Sequence, residues 1–245
     1  MSLANTQIST ATRTNLSRAS HNRVGQKLGR KGQETRERIV AAMLKQVSDP
    51  NGPPLTLSSV AKEASVGLPN LYLYFPDLGE LLLAALSRVM ETAEEAYVDR
   101  LRDRWPDEAL REACFEFLCA HFAFWERNAR ILHMRNALAD AGDLRLLHYR
   151  NRITRPLIDL LNAQMDINDE GDELSRLNTA SVLFTGIERI ATVATNPHFS
   201  LVTEISPGDD QAKLVRGLIE AEAEVIAQTI AAKRRVKAKS CAAGR

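Results

Sequence analysis

A chain of 245 residues, 44% hydrophobic and 26% charged, has an ordinary soluble composition and is long enough to bury a sizeable core. No stretch approaches the ~18 consecutive apolar residues of a membrane span, which excludes an integral membrane role. Three cysteines (Cys114, Cys119, Cys241) without C-x-x-C spacing argue against a disulfide scaffold or a cysteine-rich zinc site, and point to a reducing, cytoplasmic setting.

Aromatic residues make up 5% and strand-like alternation is rare, so the chain is predicted to be all-α, with about nine helices. The formal net charge of +1 hides an asymmetry. Residues 1–31 carry Arg13, Arg18, Arg23, Lys27, Arg30 and Lys31 and no acid. Residues 233–245 carry six more bases, and all 31 acids lie between, against 20 bases. Basic ends on an acidic body point to a polyanionic partner met at the termini, set against the plainer reading of solvated tails. The first 31 residues, rich in Ser, Thr, Asn and Arg, hold too little apolar surface to fold alone and read as a disordered basic arm. Such a composition also fits an organelle transit peptide, although no amphipathic stripe is evident.

In chain order, the first helix is predicted to open near Thr35 as N-cap, with Ile39, Ala42, Met43 and Val47 at helical spacing. The run from Asp49 to Pro54, with three prolines and a glycine, stops it. Thr56 is placed to cap a short helix through Ala64, with Leu57, Val60, Ala61 and Ala64 inward. A turn at Ser65-Val66-Gly67 leads to a short segment from Leu68 to Phe75, with Pro69 in its first turn. Asp77, with Glu80 three residues on, opens a long helix through Tyr97. Pro106-Asp107 opens another, apolar on nearly every face from Ala113 to Trp125, as suits the middle of a bundle. Further helices are expected over about 129–139, 143–165 (with Pro156 inside), 172–195 and 209–233. Asn168 to Asp172 reads as a polar loop, and Asn196 to Gly208 as a connector.

Two short helices joined by a three-residue turn, with Val60, Ala61, Ala64, Val66, Leu71 and Phe75 facing inward, have helix-turn-helix spacing. Leu71 and Phe75, four residues apart, bury one side of the second helix. The other side offers Leu68, Asn70, Tyr72, Leu73 and Tyr74 to a partner. Asn pairs with an adenine edge in a bidentate way, tyrosine hydroxyls bond phosphates or bases, and apolar Leu68 is suited to a thymine methyl. An ordinary three-helix core with exposed tyrosines is the plainer alternative.

Over residues 33–85 the chain resembles the TetR family of transcriptional regulators. The likeness rests on T-R-E-R-I in the first helix, L-T-L-S-S-V-A-K-E-A-S-V, then L-P-N-L-Y-L-Y-F-P and the E-L-L that follows. It implies that Leu68 to Tyr74 is a recognition helix and that Tyr72 reaches a DNA phosphate. It also implies that residues from Thr56 through Ser58 and Ser59 touch the duplex at the start of the preceding helix. With Gly67, Leu68, Pro69, Asn70 and Tyr74, these form the candidate DNA-binding set. The remaining helices are then expected to form an effector pocket and a dimer face. Three positions depart from the family pattern: Ser65 stands where glycine is common, Leu68 where a polar residue is common, and Leu78 where a phosphate-binding lysine is common. Residues 32–76 carry four bases and four acids. A neutral reading head leaves phosphate attraction to the arm, along the backbone or in the minor groove.

The candidate effector-binding residues are His121, Phe122, Trp125, Arg135, Tyr149, Phe184 and Glu188, a mostly apolar group with a few polar members. His121 among hydrophobes also reads as a core histidine, and Arg135 as half of a structural ion pair. Ala180, Phe184, Ile187 and Ala191, then Leu214, Leu218, Ala221 and Val225, form stripes that read as a homodimer seam or as packing within one chain. No catalytic, Walker, dinucleotide or metal-ligand fingerprint appears, so neither an enzyme nor a cofactor or metal is expected. The expected organisation is thus an arm (1–31), a helix-turn-helix domain (32–78), a helical effector and dimerisation domain (79–232) and a basic tail (233–245). The function expected from it is that of a cytoplasmic, homodimeric repressor, released from a palindromic operator in double-stranded DNA by a hydrophobic or amphipathic small molecule. A helical carrier of hydrophobic small molecules, without DNA binding, is the alternative; Leu68, Leu78 and the neutral head favour it.

Overall fold

A computed structural model describes residues 28–49, 52–167, 173–204 and 208–243. Among these every regular element is helical. In chain order they are α1 (Arg30–Val47), α2 (Leu57–Glu63), α3 (Leu68–Tyr74), α4 (Leu78–Glu91), α5 (Ala93–Ala96), α6 (Leu110–Arg127), α7 (Ala129–Asp140), α8 (Leu144–Gln164), α9 (Glu173–Ala194), α10 (Phe199–Thr203) and α11 (Asp209–Ala243). Two 3₁₀ turns, Val98–Leu101 and Asp107–Ala109, lie between α5 and α6. No helix among the described residues is long and apolar enough to cross a membrane. The count exceeds nine because α5 and α10 are one-turn pieces, which fall below the length at which periodicity shows.

The chain divides into two units. Met1–Thr92 with Asn128–Ile153 form the first, and Ala93–Arg127 with Thr154–Arg245 the second. The boundary expected after residue 78 therefore falls inside the first unit. The reason is α4, whose Leu81, Leu82, Ala85 and Leu86 are fully buried and which packs on α1 and α7.

Helix α1 starts five residues earlier than Thr35. Gly29 is its N-cap, the Thr35 hydroxyl instead donates to the Lys31 carbonyl at 2.9 Å, and Leu28 is buried beneath the first turn. Arg30 and Lys31 thus belong to a helix; residues 1–27 of the expected arm lie outside the described residues, as does the expected loop 168–172. Ile39, Val40, Ala42, Met43 and Val47 form the buried face of α1.

In the second unit α6 lies along α11 and against α9. The α9 stripe Ala180, Phe184, Ile187 and Ala191 is buried within the chain itself. On α11 the buried stripe is Val215, Ile219, Ala223, Ile226 and Ile230, rotated by one residue from the expected Leu214, Leu218, Ala221 and Val225. Leu214 and Leu218 are half-buried beside it, and Val225 is left 52% exposed.

Residues 233–243 do not form a free tail: α11 continues through Ala243. Arg234, only 6% exposed, donates from Nε to the Gln164 carbonyl at 2.7 Å and from Nη1 to the Trp105 carbonyl at 2.9 Å, and pairs with Asp107. Lys237 donates to the Asp166 carbonyl. Carbonyls at the end of α8 lack partners within their own helix, and this basic run supplies donors to them. Gln164 completes the hub. Its Oε1 accepts from the Trp105 backbone N–H, and its Nε2 donates to the Leu101 and Asp103 carbonyls, at 2.7–2.9 Å. Replacing Arg234 strands several of these acceptors. Arg234→Ala is expected to lower stability by about 2–4 kcal/mol in chemical denaturation, whereas Arg235→Ala, on the exposed side, shifts it little.

Candidate nucleic-acid interface

Helices α1 to α4 with α7 and the first part of α8 build the candidate interface. Thr56 caps α2. Its hydroxyl accepts the Ser59 backbone N–H at 3.0 Å, and Ser59 Oγ accepts the Thr56 N–H at 3.1 Å, a reciprocal capping box. Ser59 Oγ also lies within donating distance of Gln46 Oε1 at 3.0 Å, and Gln46 Nε2 donates to the Ser59 carbonyl at 2.9 Å. Ser59, expected to meet a partner, is therefore occupied inside the unit, because its hydroxyl closes both the cap and the tie to α1. Thr56 and Ser58 are exposed.

The turn between α2 and α3 carries a left-handed residue, Ser65, at φ 52°. Val66 N–H donates to the Ala61 carbonyl at 2.9 Å across it, which closes the C-terminal carbonyls of α2. Gly67 then caps α3, and Pro69 sits in its first turn.

Seven residues cannot hold a helix by themselves. Leu71 (0% exposed) and Phe75 (2%) hold α3 against the core, and the Arg36 guanidinium stacks over the Phe75 ring, 4.9 Å from its centroid. On the other side Gly67, Pro69 and Asn70 are exposed, with Tyr72 at 40% and Leu73 at 54%. Leu68 and Tyr74 are half-buried at the edges of this face.

Ion pairs change the meaning of the neutral charge count. Glu34 pairs with Arg30, Glu37 with Arg88 and Glu63 with Lys45, at 2.6–2.9 Å. Lys31, Arg38 and Lys62 are exposed and make no ion pair among the described residues. Each glutamate of α1–α3 is thus engaged, and these three cations stay open to solvent.

Two arginines that local sequence patterns do not flag brace the ends of this unit. Arg130, in the first turn of α7, donates to the carbonyls of Gln46 (2.9 Å), Asp49 (2.7 Å) and Pro53. It thereby ties down the proline-rich loop before α2. Gly52 makes room for it, since a Cβ there would stand 2.5 Å from Arg130 Nη1. Arg145 bonds Asp77 Oδ2 at 2.9 Å, Glu80 Oε1 at 3.2 Å and Asp143 Oδ2 at 2.7 Å. Asp77 in turn caps α4, accepting the Glu80 N–H at 2.9 Å. The bracing partners lie 65 to 84 residues away in sequence, which no periodicity reveals.

The candidate effector residues divide between the units. Arg135 and Tyr149 are buried in the first. Burial pushes the Tyr149 hydroxyl up to about 12, opposed by a hydrogen bond with Ser87, and Arg152 stacks on its ring at 5.5 Å. Arg135 Nε donates to Asn136 Oδ1 at 3.0 Å. In the second unit His121 lies 2% exposed within an aromatic cluster, edge-on to Tyr97 at 5.0 Å and beside Phe117 at 6.2 Å. His121 and Phe122 line a cavity with Leu118, Ile187, Ile190, Ala191, Ile219 and Glu222. Trp125, Phe184 and Glu188 are not on its wall. Glu222 was not anticipated, although an acid bordering the Ile219–Ala223 stripe is a visible anomaly.

No protein-family profile matches the chain, and no curated protein matches it. Among solved structures, that of a TetR-like transcriptional regulator from Rhodococcus sp. RHA1 is similar at 21% identity, over 79% of this chain and 96% of that one, with a TM-score of 0.43.

The Arg145 cluster has a definite pH signature. The Arg145 hydrogen bond holds Asp143 below the usual carboxylate range. For Asp77, burial acts upward, but the bonds from Arg145 and from backbone N–H groups outweigh it and the carboxyl is also lowered. Depressed carboxylates contribute stability above their unfolded value of about 3.9 and lose it as pH falls through the folded value. Wild type is expected to be more stable than Arg145→Gln at pH 7. The gap should close as pH falls below about 4, read as converging denaturation midpoints.

Proposed function

We propose that this chain is a homodimeric, sequence-specific DNA-binding transcriptional regulator whose operator is released on binding a small effector. The observation that carries the reading is the outward face of α3. A short helix pinned by Leu71 and Phe75 leaves Pro69, Asn70, Tyr72 and Leu73 in solvent, on the far side of a positive-φ turn from α2. Exposed aromatic and apolar groups in sequence on one short helix fit a partner-facing surface better than a solvent-facing one. Asn70 is suited to an adenine edge, Tyr72 to a phosphate, and Leu73 to a thymine methyl. Lys31, Arg38 and Lys62 add phosphate attraction that counting charges conceals.

A symmetric dimer reads two half-sites, one with each copy. Val182 on α9 (71% exposed) and Val225 on α11 (52% exposed) are apolar groups open to a second copy, and Ala221 beside Val225 allows close approach. Release follows from linkage: an effector that prefers the DNA-free dimer weakens DNA binding by the ratio of its two affinities. Repression, ended by the effector, is the proposed outcome at the promoter.

Enrichment of random oligonucleotides by the purified protein tests the reading directly. A preferred sequence with two related half-sites is expected. Asn70→Ala should then cost about 5- to 150-fold in affinity and relax preference at one position per half-site. Tyr72→Phe should weaken binding to all sequences alike. Failure to enrich any sequence, or unchanged affinity in both variants, would instead favour the carrier of small molecules.

The basic arm is assigned to the DNA phosphates. Its truncation must stop at residue 27, because Leu28 is part of the core. Residues 1–27 carry Arg13, Arg18, Arg23 and Lys27, so a dimer loses eight cations. With about 0.9 units of log–log salt slope per neutralised phosphate, deletion should flatten the salt dependence of binding by several units. An unchanged slope removes the arm from the interface.

A further inference from the structure

The seven residues of α3, Leu68 to Tyr74, include no charged side chain. At about 100° per residue, Leu73 falls on the side of the helix opposite the inward pair Leu71 and Phe75. Its exposure agrees: at 54% it is more open to solvent than Tyr72 at 40%. Pro69, one turn earlier on the same line, is exposed as well. The crest of the helix is therefore an apolar ridge from Pro69 to Leu73, with Asn70 on one flank and Tyr72 on the other. Leu68 points in nearly the same direction as Phe75, is half-buried, and lies off the crest.

An uncharged crest limits what can be read in a major groove. The strongest guanine contact is an arginine or lysine on O6 and N7, and cytosine offers its amino group to a carboxylate. Helix α3 supplies neither. The exposed cations Lys31, Arg38 and Lys62 stand on α1 and α2, where they suit phosphates, which attract without regard to sequence. What an apolar side chain meets in the groove is the C5-methyl group that thymine carries and cytosine lacks. Contact between that methyl and Leu73 removes apolar surface of both partners from water. Asn70, one step round the helix, matches N6 and N7 of adenine, the pairing partner of thymine. Crest and flank thus select the same kind of base pair.

We infer that α3 reads A·T pairs and is blind to guanine, with the Leu73 side chain packed on a thymine methyl group and Asn70 on a nearby adenine. The inference rests on the DNA-binding reading above and gives each half-site its composition beneath α3.

The full chain first selects its operator from random oligonucleotides, and base analogues then probe the contact. Replacing thymine by uracil deletes the methyl group and keeps the base pairing. At one symmetric thymine position, uracil in both half-sites should weaken binding roughly 15-fold, about fourfold for each methyl group lost from the contact. Leu73→Ala, at an exposed position, should bind the thymine operator about as weakly as the wild type binds the uracil one, and should bind both operators alike. An enriched half-site without an A·T pair, or uracil tolerated at every thymine, would overturn the inference and leave the DNA-binding reading standing. So would a Leu73→Ala protein that keeps the full uracil penalty. If no sequence is enriched, the DNA-binding reading fails and the A·T inference fails with it.

Discussion

Helix α3 is seven residues long and has two side chains with which to hold on. Leu71 and Phe75 lie in register on one side, both essentially without solvent contact, and the Arg36 guanidinium covers the ring of the second. Isolated helices of this length do not persist in water, so the helix exists because of that anchorage. Once those two positions are inward, the 100° step of the helix leaves no choice about the others: Pro69, Asn70, Tyr72 and Leu73 must point away. What the surface can recognise is thus a consequence of what the core requires.

The anchorage depends on neighbours that hold the loops on either side. Ser65 adopts a left-handed conformation that costs a non-glycine residue about 1–2 kcal/mol; the bond from Val66 to Ala61 helps keep it there. Arg130 gathers three carbonyls of the loop before α2, and Arg145 secures the cap of α4 after α3. Each is a charge-assisted contact whose geometry is suited to a planar guanidinium. The glutamates of α1–α3 are likewise engaged locally, which leaves Lys31, Arg38 and Lys62 as exposed cations without an ion pair among the described residues.

In the second unit, polar groups fall into two kinds. Gln164 and Arg234 use their bonding capacity to knit the irregular stretch before α6 to the end of α8. Glu222 has a glycine opposite and no partner. The first kind is what a close-packed interior demands; Glu222 is only half-buried, so water still reaches its carboxylate.

Much of this was legible in the sequence because it depends on local spacing. The all-helical build, the Thr56 and Asp77 caps, the turn at 65–67 and the inward pair Leu71 and Phe75 all follow from helical periodicity and from the chemistry of turn residues. So did the outward placement of Asn70 and Tyr72. Tertiary structure alone decided which of two adjacent stripes on α11 is buried, that Arg234 leaves the basic run for the core, and that the half-buried Ser59 bonds Gln46. It also decided that Arg130 and Arg145 brace loops far away in the chain, and that Glu222 meets Gly186. Periodicity reports how side chains are arranged around one helix. Which neighbour a helix face meets, and which carbonyl or charge waits there, is set by packing between segments scores of residues apart, and the local pattern carries no record of it.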